Sequence, residues 1–178
     1  MFAAPTTNFQ ALEDVLHLIR SYDIPAWAKS TTISDAALSY EDLLHLGIIW
    51  KLAAEIYACH VLCSSTMSAP VFFHPPSVHD LRAQYSFFER KNDKVTRCLI
   101  WPTFVAGAAS TTPQDRAWAA RTLDRIWNLG HCANTTNATR VLEVLWEKHD
   151  RAKALTDEPA YWNWISELSQ LKGSWLFV

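Results

Sequence analysis

Histidine, cysteine and carboxylate side chains could give this chain a reaction, yet their spacing argues against one. The 178 residues hold seven His and four Cys. His74 and His79 flank Pro75-Pro76, with Asp80 adjacent. As a two-histidine, one-carboxylate set they would need the loop to fold back around a metal ion. The spacing matches no metal motif with a known mechanism, so exposed loop histidines are the simpler reading. His60 and Glu55 stand at positions of one helix that point in different directions and make no dyad. His149 follows Glu147 and Lys148 near a helix C-terminus, where a cation complements the helix dipole. Cys59 and Cys63 share a helix face instead of enclosing zinc. With Cys98 and Cys132 they read as buried free thiols of a reducing compartment. No Gly-x-Ser-x-Gly, phosphate-binding loop or His-Glu-x-x-His occurs. These residues predict no catalytic or metal site and imply no cofactor.

The elements that would position any site are helical throughout. Apolar residues make up 49% and charged residues 19% of the chain, a globular composition that predicts a single domain over 1–178 around one core. The net charge of −2 supplies no field to attract nucleic acid. The basic run from Arg90 to Arg97 is interrupted by Asp93 and reads as a solvated loop. No signal peptide follows Met1. Leu43 to Leu62 is apolar, but Lys51 and Glu55 interrupt it, which favours a buried helix over a membrane span. Nine Trp are expected to fill gaps between helices.

Phe9 to Ile19 has the periodicity of an amphipathic helix. Pro25 and the Ser30–Ser34 run predict a connector. Ser39 is placed to cap a central helix ending near Cys63, with Glu41 and Asp42 in its first turn. Residues 64–76 form the longest loop, and Val71-Phe72-Phe73 has little room for a strand between prolines. Ser77 and Asp80 predict a capped helix through Phe88. Lys94 to Ala109 is expected as one helix, and Thr112-Pro113-x-Asp115 is the sharpest helix start in the chain. Gly130 should stop that helix, and Thr135 or Thr136 should open the next, with Ala138, Val141, Leu142, Leu145 and His149 on one face. A last helix is expected over Pro159–Leu171. The sum is an all-α fold of roughly seven helices in an irregular bundle.

Within Lys94–Ala109, Pro102 cannot donate to the carbonyl of Cys98, and in a helix interior this costs about 3 kcal/mol. The expected result is a bend that turns Trp101 and Phe104 inward, while Gly107 lets a neighbouring helix approach. A cavity at the bend, walled by Trp101, Phe104 and Trp127, would suit an apolar ligand; packing alone is the other reading. Arg116 and Glu143 are expected to form an inter-helix ion pair.

The ordered set Leu99-Ile100-Trp101-Pro102-x-Phe104-Val105-Ala106-Gly107, then Arg116, Leu123-Asp124-Arg125-Ile126-Trp127 and Val141-Leu142-Glu143-x-x-Trp146, resembles the C-terminal half of the fungal-specific transcription factor domain. Leu52-Ala53-Ala54-Glu55-Ile56-Tyr57 looks like the helix preceding that block, and Trp164 with Trp175-Leu176-Phe177 resembles its closing segment. The likeness spans residues 40–178. It implies a non-catalytic nuclear regulatory module, with protein partners or a small-molecule effector and a homodimer as family-compatible features. No heptad seam supports the homodimer. The closely spaced cysteines of a zinc cluster are missing from this chain, so no direct DNA binding is expected of it. The alternative is a metabolite-binding protein or enzyme using the aromatic cavity near Pro102.

Overall fold

A 26-residue helix, α3 (Tyr40–Ser65), organises the N-terminal part of the chain. The structure, a computed structural model, describes residues 6–34, 38–65, 76–89, 93–155 and 162–171. All regular elements among the described residues are helical, as the periodicity predicts. Their packing divides into two compact units, residues 1–89 and 90–178.

In the first unit, α1 (Thr6–Ser21), α2 (Ile24–Ser34) and α4 (Val78–Tyr85) all pack on α3. The α3 start follows its capping residues: Ser39 Oγ accepts from the Asp42 amide at 3.1 Å, and the Asp42 carboxylate accepts from the Ser39 amide. Ile49, Ala53 and Ile56 are fully buried, because α3 meets neighbours on several sides. The lysine that interrupts its apolar run is put to use. Lys51 Nζ donates to the carbonyls of Arg20 and Tyr22, at 2.6 and 3.2 Å, satisfying the end of α1. Glu55 accepts from Arg20 Nε at 2.5 Å. No described helix is long and apolar enough to cross a membrane.

The expected connector over Pro25 and Ser30–Ser34 is α2 instead. Asp23 caps it by accepting from the Ala26 amide at 2.9 Å, and Pro25 lies in the first turn, where no amide partner is needed. Ser30 and Thr32 donate to the carbonyls of Trp27 and Ala28 at 2.8 Å each, so hydroxyls that signal a loop are absorbed by the helix itself. Gly47 admits α2. A Cβ there would lie 2.6 Å from Ile24 Cγ2 and 3.0 Å from Trp27 Cζ3. The capping box of Ser77 and Asp80 opens α4 as expected, but the helix stops at Tyr85. A turn then carries Phe87 onto His45, with ring centroids 3.8 Å apart. Residues Val71-Phe72-Phe73 and His74 lie outside the described residues.

In the second unit, α6 (Ile100–Ala109), α7 (Pro113–Gly130) and α8 (Ala133–Leu155) pack pairwise, and α9 (Trp164–Ser169) rests on α8. The single helix expected over Lys94–Ala109 is broken into α5 (Asp93–Thr96), a 3-10 turn at Arg97–Leu99, and α6. The break falls ahead of Pro102, at Leu99 (φ −95°, ψ 0°). Pro102 therefore stands in the first turn of α6, where its missing amide costs little, and it does not kink a helix interior. Thr103 Oγ1 donates to the Leu99 carbonyl at 2.6 Å, closing the start of α6.

Thr112 caps α7 by accepting from the Asp115 amide at 3.1 Å, with Pro113 following. The stop differs from expectation, since His131 takes the left-handed conformation (φ 46°) and Gly130 is the last helical residue. A Cβ at Gly130 would sit 2.8 Å from Arg97 Nε, so the glycine serves a close approach. Asn163 caps α9, accepting from the Ile165 amide at 2.9 Å, which leaves Trp162 ahead of the helix. Cys98 is exposed and Cys132 half-buried, while Cys59 is buried. The expectation of uniformly buried thiols fails at Cys98 because the 3-10 turn presents it outward. The Cys63 side chain lies outside the described residues.

Burial in α3 pushes the His60 imidazole down to about 4 from 6.5. The unfolded chain then takes up a proton at higher pH than the folded one. This contribution to stability is full above pH 6.5 and is lost as pH falls toward 4. Urea unfolding should show a loss of about 2 kcal/mol between pH 7 and pH 5, and His60→Gln should flatten that slope.

Candidate functional site

The residues of the second unit that the motif set singles out converge where three helices cross. Along α6, Pro102 to Ala108 are buried without interruption, and Gly107 lies against both partners. A Cβ at Gly107 would come 2.7 Å from Leu142 Cδ1 on α8 and 3.0 Å from Ala119 Cβ on α7. The small residue sets how close the axes come. Its carbonyl is used too: Trp146 Nε1 on α8 donates to Gly107 O at 2.9 Å, giving a half-buried indole its partner.

Arg116 completes the crossing from the first turn of α7. Its Nε donates to the Ser110 carbonyl at 3.3 Å. Its Nη1 donates to both Asp150 oxygens at 2.9 Å, and its Nη2 donates to His149 Nδ1 at 2.7 Å. The guanidinium also lies 5.8 Å from the centroid of the Trp146 ring, within cation–π range. The expected partner of Arg116, Glu143, is thus replaced by Asp150, two turns further along α8. Placing the cation at the start of α7 puts it opposite the later turns of α8, beyond the reach of Glu143.

His149 Nδ1 also lies 3.2 Å from Asp150 Oδ1. A guanidinium has no acceptor, so Nδ1 serves Asp150 only in the state that does not accept from Arg116. The hydrogen bond from His149, joined by the Arg116 guanidinium, holds the Asp150 carboxyl below the usual carboxylate range, against the opposing effect of burial. The His149 ring meets Trp162 edge to face, with centroids 5.2 Å apart. Lys148 pairs with Glu167 at 2.8 Å, and Phe104 meets Trp164 at 5.9 Å. The end of the described chain is thereby fastened to α6 and α8.

A separate feature lies between α7 and α8, a half-open depression of about 320 Å³. Leu123, Asp124 and Trp127 of α7 line it at helical spacing. From α8 come Thr135, Thr136, Thr139, Arg140 and Glu143. Of the three residues proposed for an effector cavity, Trp127 lines this depression. Trp101 and Phe104 do not: Trp101 is half-buried on α6, and Phe104 is buried against Trp164. Composition and motif reading overlooked the threonines, Asp124 and Arg140. The signal was present as a hydroxyl stripe at 3.6-residue spacing beside the apolar face of α8. Among the described residues no group of three His, Cys, Asp or Glu could hold a metal ion.

The chain belongs to the family of the fungal specific transcription factor domain, whose profile matches residues 4–177. The match reaches well ahead of residue 40, into α1 and α2. The chain is similar to the acriflavine sensitivity control protein acr-2 of Neurospora crassa, with 23% identity over 173 residues. That alignment covers 92% of this chain and 28% of the relative, so the chain spans under a third of that protein's length. No solved structure matches the chain.

Three substitutions make this geometry measurable. Gly107→Ala should destabilise the protein by about 1–3 kcal/mol in urea unfolding, because overpacking outweighs the gain in helix propensity. Arg116→Met should cost about 2–3 kcal/mol, since the Ser110 carbonyl and His149 lose their donor. Asp150→Asn should cost under about 1 kcal/mol, because that carboxylate is largely exposed.

Proposed function

We propose that these residues act together as a non-catalytic regulatory module of a fungal transcription regulator, working in the nucleus through protein contacts or a small effector. The observation that carries this reading is the family match across nearly the whole chain. The similarity to a control protein from Neurospora crassa supports it. The described cysteines are single thiols far apart in sequence, unlike a zinc cluster, so DNA reading is assigned to another part of the regulator or to a partner. The crossing at Gly107, Arg116 and Trp146 is read as structural, and the depression beside Trp127 as the place where an effector would act.

Tethering the chain to a heterologous DNA-binding domain at a reporter promoter in a filamentous fungus tests the reading. A change in reporter output that is weakened by Gly107→Ala is expected. A reporter that never responds, together with a fluorescent fusion excluded from nuclei, would overturn it.

A further inference from the structure

The depression between α7 and α8 is unusually rich in acceptors. Thr139 Oγ1 spends its proton on the Thr135 carbonyl at 3.1 Å, and Thr135 Oγ1 spends its own on Cys132 O at 2.6 Å. Only lone pairs remain on those hydroxyls for anything arriving from outside. Asp124 and Glu143 add carboxylates from opposite walls. Asp124 Oδ2 accepts from Asn128 at 3.2 Å, which leaves its second oxygen available. Glu143 carries no ion pair to a described residue, and Arg140 is the one cation among the described lining residues. The indole of Trp127 contributes an aromatic surface, the side chain that attracts cations best. Acceptors, two anions against one cation and a tryptophan call for the same guest.

We propose that this depression binds a small organic cation, an amine or amidine whose N–H groups meet the carboxylates while a flat apolar body lies along Trp127. A volume of about 320 Å³ is at the low end of ligand sites, which restricts the guest to a compact molecule. The proposal deepens the effector reading above by naming the ligand's chemistry. It is tested by binding alone, so its failure leaves the transcriptional reading standing, and the reporter can fail without touching it.

The test is calorimetric titration of the purified full chain with tryptamine and benzamidine, beside the matched anions indole-3-propionate and benzoate. The cations should bind with a Kd of roughly 10 µM to 1 mM, the affinity expected of a half-open site this small. The anions should be at least about ten-fold weaker. Asp124→Asn and Glu143→Gln should each weaken cation binding about 2- to 5-fold, and Arg140→Gln should tighten it. These side chains are exposed, and an unchanged circular dichroism spectrum would confirm that the variants fold. Equal binding of cations and anions, silence from both cations at about 5 mM, or indifference to the two carboxylate changes would each overturn the proposal.

Discussion

At Gly107 a helix has no side chain, and two neighbouring helices use the space. Leu142 and Ala119 press toward the bare Cα, and the Trp146 indole reaches the Gly107 carbonyl. The distance between α6, α7 and α8 follows from that contact, and so does the position of the first turn of α7. Arg116, held in that turn, can then bond the Ser110 carbonyl behind it and the Asp150–His149 pair ahead of it. A methyl group at residue 107 would force the three axes apart and loosen each of these bonds.

Energetically the crossing is dominated by packing, with directional bonds deciding its register. Ala119, Leu123, Leu142 and Leu145 are almost wholly excluded from water, and burial of that kind contributes about 1.5–3 kcal/mol for each large side chain. The Arg116–Asp150 pair contributes less, because Asp150 is 61% exposed and solvent screens the attraction. Its larger effect is to select one rotation of α8 about its axis. The His149–Trp162 and Phe104–Trp164 ring contacts then carry the preference on to α9. The first unit shows the same division of labour: Ile49, Ala53 and Ile56 supply burial, while Lys51 and Glu55 fix where α1 ends against α3.

Much of this was legible in the residues because it is local. Ser39, Ser77 and Thr112 are each followed by an acid three residues on, and each caps a helix as expected. The motif set with Gly107, Arg116 and Trp146 pointed to the family that the profile match shows. Errors arose where one residue has two lawful uses. Pro102 reads as a kink inside a helix, yet the same ring is tolerated in a first turn once a 3-10 segment ends the preceding helix. Pro25 and the Ser/Thr run beside it read as a connector, yet Asp23 supplies a cap and the hydroxyls bond back along α2.

The spacing of the His, Cys and carboxylate side chains predicts no catalytic constellation. Sequence by itself determined helix content, most helix starts and the family, because capping and periodicity act within a few residues. It did not determine partners. Arg116 bonds Asp150 and not Glu143, and Trp127 lines a depression without Trp101 or Phe104. Those choices depend on the rotation and separation of packed helices, which are settled only when Gly107 lets α6, α7 and α8 close on one another.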